Sequence, residues 1–205
     1  FAGGSATSPP PASDGVFVVA ADAGYDHAVA AGWSVDLLVG DLDSISPDGL
    51  SHAERNGVDI QRHPQDKDET DLELALDAVT TSGATEVDIF GALGGSPGHF
   101  LGAAALITAD RYRRCTVRWH FETAVAHVVQ PERPLTTAPR IGARLSIVAV
   151  TDAEGVTTTG VRWPLDDASL ARGTSRGLSN VTTSSRVTVQ IARGVLMTII
   201  EREPT

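Results

Sequence analysis

The sequence predicts an α/β protein: an N-terminal, mostly parallel sheet with flanking helices over residues 1–121, followed by a C-terminal antiparallel β-sandwich over residues 122–205. Three observations carry this. Short apolar runs alternate with helical windows as far as residue 120, the pattern of a parallel sheet. Beyond Phe121 short strands follow one another with no helical window between them. Between these two patterns in importance stands Leu37-Leu38-Val39-Gly40-Asp41-Leu42-Asp43-Ser44, an apolar run that ends in glycine and then presents two aspartates. In open α/β sheets that carboxyl edge is where ligands bind.

Phe1-Ala2-Gly3-Gly4 reads as a strand end running into a glycine turn, so the first strand is expected to begin upstream; residues 5–15 form a Ser/Pro-rich loop. Residues 16–20 are a short strand, and Asp22-Ala23-Gly24 leads into a helix through His27 and Val29 that stops at Gly32. The central strand, 35–39, comes next. Ser46-Pro47 is a helix start with Ser as N-cap and Pro at the first helical position, and Gly57 closes that helix. A strand at 58–61 precedes the capping box Thr70-Asp71-Leu72-Glu73 and its apolar helix. A strand at 86–90 runs into the glycine-rich Gly91-Ala92-Leu93-Gly94-Gly95-Ser96-Pro97-Gly98, then a helix from His99 to about Asp110 and a strand at 116–120. The later strands are 124–129, 144–150, 156–161, 186–191 and 195–200, with loops around 131–134 and 137–139. Alternation is clearest where Val187, Val189 and Ile191 point one way and Arg186, Thr188 and Gln190 the other.

Composition narrows the function. With 41% hydrophobic residues the chain can bury a core, and a net charge of −10 argues against nucleic-acid or anionic-membrane partners, which need a basic footprint. The single cysteine, Cys115, excludes an internal disulfide and fits a cytoplasmic location. No apolar run approaches the roughly twenty residues of a membrane span, and no signal region opens the chain, which starts at Phe1 rather than Met.

The chemistry-bearing residues are mostly acidic. On an extended strand Asp41 and Asp43 would lie on one side with Cα atoms about 6.5 Å apart, enough for two carboxylates to share one hard cation such as Mg²⁺. The same residues also read as turn and cap residues. Asp68 and Asp71 stand three apart at a helix start, where an acidic residue also complements the helix dipole. Lys67, the one lysine among sixteen basic residues, sits among these carboxylates, where it could bridge an anionic phosphate. The loop at 91–98 could bring backbone N–H groups to an anion, although it matches neither the Walker nor the Rossmann pattern. Trp163 could stack on a flat or cationic ligand or pack at a seam, and Ser175-Arg176-Gly177-Leu178-Ser179-Asn180 is a polar loop.

Together these stretches resemble the thiamine pyrophosphokinase family over nearly the whole chain and in the same order. The resemblance rests on Ala21-Asp22-Ala23-Gly24, Gly40-Asp41-Leu42-Asp43-Ser44, Lys67-Asp68-Glu69-Thr70-Asp71-Leu72-Glu73, Gly94-Gly95, Thr158-Thr159-Gly160-Val161-Arg162-Trp163-Pro164-Leu165 and Gly177-Leu178-Ser179-Asn180. It implies a catalytic α/β domain, a β domain that helps bind thiamine, and a homodimer with active sites between subunits. It further implies that ATP, with Mg²⁺, donates a whole diphosphate to thiamine and leaves AMP. Asp41, Asp43 and Asp71 are then the catalytic and metal-binding carboxylates, with Asp71 accepting the thiamine proton. Asp22, Lys67, Asp68, Thr70, Gly94 and Gly95 lie at ATP, and Trp163, Ser179 and Asn180 at thiamine. The family's Gly-Gly-Arg-x-Asp-His is here Gly94-Gly95-Ser96-Pro97-Gly98-His99, and Ala103 stands where asparagine is usual. Those departures carry a second expectation, a homologue that binds nucleotide or thiamine without turnover.

Overall fold

The computed structural model describes residues 1–4, 9–12, 15–92 and 96–202. The chain divides into two compact units, Phe1–Leu106 and Ile107–Thr205. The sequence pattern sets the change at 121; the strand at 116–120 pairs antiparallel with its successor at 124–129.

In the first unit β1 (Val19–Ala21), β2 (Leu37–Gly40) and β3 (Asp59–Arg62) form a parallel sheet in that order, with Val19 opposite Leu37 and Leu37 opposite Asp59. Helices α1 (Gly24–Ala30), α2 (Pro47–Arg55) and α3 (Asp71–Thr81) connect and follow these strands. Alternate residues of β1 and β2 face opposite sides: Ala20 and Leu38 pack with Tyr25, Ala28 and Ala53, while Val19, Ala21, Leu37 and Val39 pack with Ala75 and Leu74. Burial on both faces is why these strands read as continuous apolar runs.

The start of the chain, expected as a strand end, lies in no strand but makes backbone hydrogen bonds to two. The Phe1 nitrogen donates to Val19 O at 2.7 Å and Ala21 N–H to Phe1 O at 2.8 Å, while Ala2 N–H donates to Phe90 O at 2.8 Å. Residues 1–3 thus run between β1 and the end of β4 (Glu86–Phe90). The indole N–H of Trp33 donates to Pro10 O, which ties down the described part of the Pro-rich loop.

The two caps read from the sequence, Ser46 and Thr70, are present, whereas α1, preceded by Ala23, has no side-chain cap. The Ser46 hydroxyl accepts from Gly49 N–H at 2.9 Å and also donates to Asp26 Oδ1 at 2.8 Å, so one side chain anchors α2 to α1. Loss of such a cap costs about 0.5–2 kcal/mol. Ser46→Ala is accordingly expected to lower stability by about 1–2 kcal/mol in chemical denaturation, with Ser46→Thr largely retaining it. At α3 the Thr70 hydroxyl accepts from Glu73 N–H at 3.2 Å, the cap that the capping box predicted. Helix α4 (Pro97–Leu106) ends before the expected Asp110, because Ala109 is extended and a 3₁₀ turn at Asp110–Tyr112 follows.

The second unit is an antiparallel sandwich. One sheet has the order β10-β9-β12-β7 and the other contains β11-β8-β13-β6-β5. Their elements are β5 (Thr116–His120), β6 (Ala124–Val129), β7 (Leu135–Thr137), β8 (Arg144–Ala149), β9 (Ala153–Thr159), β10 (Ala168–Leu170), β11 (Asn180–Val181), β12 (Val187–Gln190) and β13 (Leu196–Glu201). Val129, Leu145, Ile147 and Leu196 from one sheet and Val156, Leu170, Val187 and Val189 from the other form one core. Val187, Val189 and Ile191 are buried as the alternation predicted. Thr137, expected in a loop, instead ends β7 opposite Val187. Gly160 closes β9 at φ +74°, and a Cβ there would fall 2.2 Å from Arg186 O, so the glycine of the Thr-Gly-Val segment is set by this strand approach.

Candidate functional site

At the carboxyl ends of β1 and β2 three carboxylates converge. One oxygen from each of Asp22, Asp41 and Asp71 lies within 4.8 Å of the other two. Asp22 follows β1 in the left-handed region at φ 52°, Asp41 follows β2, and Asp71 opens α3. Gly40 makes room for them. At its φ of +140° a Cβ would stand 3.1 Å from Asp22 Oδ1 and 3.2 Å from Asp71 Oδ1, so any side chain would press into the carboxylates.

Asp22 was expected beside the nucleotide and Asp43 within the metal set; the structure places Asp22 in the carboxylate group and Asp43 beside it. The reason is local. Period-two alternation holds only while the backbone stays extended, and Leu42 turns into the left-handed region at φ 64°. Asp43 N–H then donates to Asp41 Oδ1 at 3.2 Å, and Asp43 Oδ2 accepts from the Gln65 amide at 2.9 Å. Asp43 remains close enough to be one of the charges acting on Asp22.

Asp22 is only 6% exposed. Burial pushes its carboxyl above the usual carboxylate range, the Ser44 hydrogen bond opposes this, and the charges of Asp71, Asp41 and Asp43 add to the upward push. Its Oδ2 accepts from Ser44 Oγ at 2.6 Å, while Oδ1 is buried with no hydrogen-bond partner among the described residues. A buried carboxylate oxygen left in this way is costly unless something positive reaches it.

Lys67 answers part of that charge. Its Nζ lies 3.0 Å from Asp71 Oδ1 and 3.8 Å from Asp41 Oδ2. Burial pushes the ammonium down, but Asp71, then Asp41 and Asp22, outweigh it and hold the lysine above its ordinary range, so it is charged. Three carboxylates less one ammonium leave two formal negative charges. An all-oxygen donor set with that residual charge suits a hard divalent cation, and Mg²⁺–oxygen distances of about 2.1 Å place its ligands within roughly 4.2 Å of one another. The donor chemistry and the orphaned Asp22 Oδ1 therefore fit such an ion, with small side-chain adjustment.

The other expected residues are placed as follows. Thr70 caps α3, and Asp68 is exposed nearby. Gly94 and Gly95 lie outside the described residues. Ser96, at the position of the missing arginine, accepts from His99 N–H at 3.3 Å and so caps α4; Ala103 is buried on that helix. Ser44, Gln65 and Gly40 have positions in this centre that the sequence reading did not assign. Gly40 and Ser44 flank the Asp pair in sequence, whereas Gln65, 22 residues beyond Asp43, had no such signal.

In the second unit the Trp163 indole is 56% exposed, so in this chain it does not serve as a packed core residue. The Arg162 guanidinium stands 4.9 Å from the ring centroid, which shows that the face accepts a flat cation. Asn180 fixes the backbone beneath it: its Oδ1 accepts from Trp163 N–H at 3.1 Å and its amide donates to Trp163 O at 2.8 Å. Asn180 Oδ1 also accepts from Val181 N–H at 2.8 Å. Asn180 is 6% exposed, so it orients the loop rather than presenting a free amide. Ser179, left-handed at φ 57°, donates its N–H to Ser146 Oγ and is exposed beside it.

Comparison with known proteins matches both halves. Residues 12–118 match the family model described as thiamin pyrophosphokinase, catalytic domain, and residues 127–196 the model described as thiamin pyrophosphokinase, vitamin B1 binding domain. Thiamine pyrophosphokinase of Bacillus subtilis is 27% identical over 161 residues, covering 78% of this chain and 75% of that protein. Thiamine pyrophosphokinase 1 of rice is 27% identical over 180 residues, covering 80% of this chain and 65% of that protein. Among solved structures, thiamin pyrophosphokinase from Geobacillus thermodenitrificans superposes with a TM-score of 0.83 at 25% identity, over 100% of this chain and 96% of that one. The Candida albicans enzyme has the same fold at 14% identity, with a TM-score of 0.74 over 91% and 82% of the two chains.

Proposed function

The chain belongs to the thiamin pyrophosphokinase family, and from that premise we propose that it transfers diphosphate from ATP to the thiamine hydroxyl, giving thiamine diphosphate and AMP. The observation that supports this reading is the convergence of Asp22, Asp41 and Asp71 around a buried, unpartnered oxygen, with Lys67 alongside, inside the region that matches the catalytic domain. Asp22, Asp41 and Asp71 would hold Mg²⁺. Bound there, Mg²⁺ supplies neutralisation of phosphate oxygens, the main requirement of phosphoryl-type transfer alongside positioning.

The chain's own groups then divide the work. Lys67 offers a cation to the transferred phosphates; Asp68 and the Thr70-capped start of α3 border it, and the loop containing Gly94 and Gly95 completes the nucleotide contacts. Asp71 accepts the proton of the attacking hydroxyl. Asp43, held by Gln65, keeps negative charge beside the trio and orients the turn after β2. Trp163 stacks on thiamine, with Asn180 fixing its backbone and Ser179 at the rim. The working form is a homodimer in the cytoplasm; no described helix is long and apolar enough to cross a membrane.

Ser96 and Gly98 favour one other reading, a homologue that binds nucleotide or thiamine without turnover, because a charged group facing a transition state can contribute several kcal/mol. Incubation with ATP, thiamine and Mg²⁺ is expected to release AMP in a thiamine-dependent manner. Binding of either substrate with no AMP release selects the second reading.

A further inference from the structure

We propose that Ser44 is a positioning residue for the cation: its hydroxyl holds the plane of the Asp22 carboxylate so that the free oxygen faces Asp41 and Asp71. The inference rests on the reading above that this trio holds a divalent ion. Its basis is a division of labour between the two oxygens of one carboxylate. Asp22 Oδ2 is taken by Ser44 Oγ at 2.6 Å, the short distance of a hydroxyl donating to a charged acceptor. Asp22 Oδ1 has no hydrogen-bond partner among the described residues, is buried, and points into the space that Gly40 leaves open.

The backbone is bent to make this contact. Ser44 is 22 residues from Asp22 in sequence and reaches it only because Leu42 adopts φ 64° and Asp43 N–H donates back to Asp41 Oδ1. For a leucine the left-handed region is unfavourable, and strain of this kind persists where the surroundings over-determine it. One turn therefore does two things: it carries Asp41 into the trio and returns Ser44 to clamp Asp22. Without the hydroxyl, the Asp22 carboxylate plane could turn about its Cβ–Cγ bond so that neither oxygen is aimed at the trio, and cation binding would have to order it first.

Groups that hold a metal ligand in place typically account for 10–100-fold in affinity when removed. Direct titration with Mn²⁺, read by the loss of the free-ion electron paramagnetic resonance signal, tests the proposal without reference to turnover. Ser44→Ala is expected to weaken Mn²⁺ binding about tenfold or more, and Ser44→Thr, which keeps the donor, to restore most of it. Thermal unfolding without cation should fall for Ser44→Ala, which leaves the buried Asp22 Oδ2 without its donor, and be largely kept by Ser44→Thr, so Mn²⁺ affinity is the readout that decides the positioning role. Asp22→Asn serves as the reference. If Asp22→Asn loses Mn²⁺ while Ser44→Ala binds it like the parent, the positioning role is overturned and the metal reading stands. If neither substitution changes Mn²⁺ affinity, the metal reading fails, and the role of Ser44 fails with it.

Discussion

Asp22→Asn is expected to raise the melting temperature of the cation-free protein and at the same time to abolish most of the rise that Mg²⁺ produces. Burial and three neighbouring aspartates hold the Asp22 carboxyl above its ordinary range, so the fold binds its proton more tightly than the unfolded chain does. Stability from this group is therefore greatest at low pH and is lost as pH rises from the ordinary carboxylate value through the raised one. At neutral pH the ionised, half-partnered carboxylate is a cost, and the neutral amide removes it while still accepting from Ser44. The advantage of Asp22→Asn should shrink as pH falls toward the carboxylate range.

With Mg²⁺ at a hundred times its dissociation constant, the parent gains about 2.7 kcal/mol, roughly 5–10 °C for a chain of this size. Asp22→Asn should keep only a small part of that. A variant that melts lower without cation, or gains as much from Mg²⁺ as the parent, would contradict the assignment of Asp22 to the cation.

Trp163→Ala should weaken thiamine binding by about 0.5–2 kcal/mol, several-fold or more, and leave Mg-ATP binding unchanged. Asp41→Asn should do the reverse. The exposure of the indole makes the distinction clean, because replacing a 56% exposed side chain should alter thermal stability little. Calorimetric titration of each ligand into each variant, with light scattering to fix the oligomer, reads all three quantities. A loss of thermal stability with thiamine affinity intact would mean that Trp163 only packs. A monomer that binds thiamine at full affinity would remove the need for a dimer.

Much of this was legible in the sequence. The strands at 86–90, 116–120 and 124–129 have the expected bounds because polar or glycine-containing segments stop them abruptly, and the Ser46 and Thr70 caps follow from side chains that accept from the third backbone N–H. Lys67 stood out as the one lysine, set among aspartates; its pairing with Asp71 comes from the non-helical segment before α3 and not from helical spacing. What failed to show was whatever depends on a reversal of the backbone. Asp43 leaves the trio because Leu42 is left-handed, and Asp22 enters it by its own φ of 52°; neither conformation is encoded by a glycine. Strands β7, β10 and β11, of three, three and two residues, are too short for alternation to register and exist through their partners' registers. For β5 the bounds were legible but the partner was not, because its apolar pattern suits either sheet; it pairs antiparallel with β6.

Following both transferred phosphorus atoms tests whether this protein moves a whole diphosphate from ATP to thiamine. The protein is incubated with ATP, thiamine and Mg²⁺, and the products are resolved by ³¹P nuclear magnetic resonance. AMP and thiamine diphosphate are expected in equal amounts, appearing together and only when thiamine is present. ADP with thiamine monophosphate, or ATP left intact beside bound thiamine, would contradict this transfer.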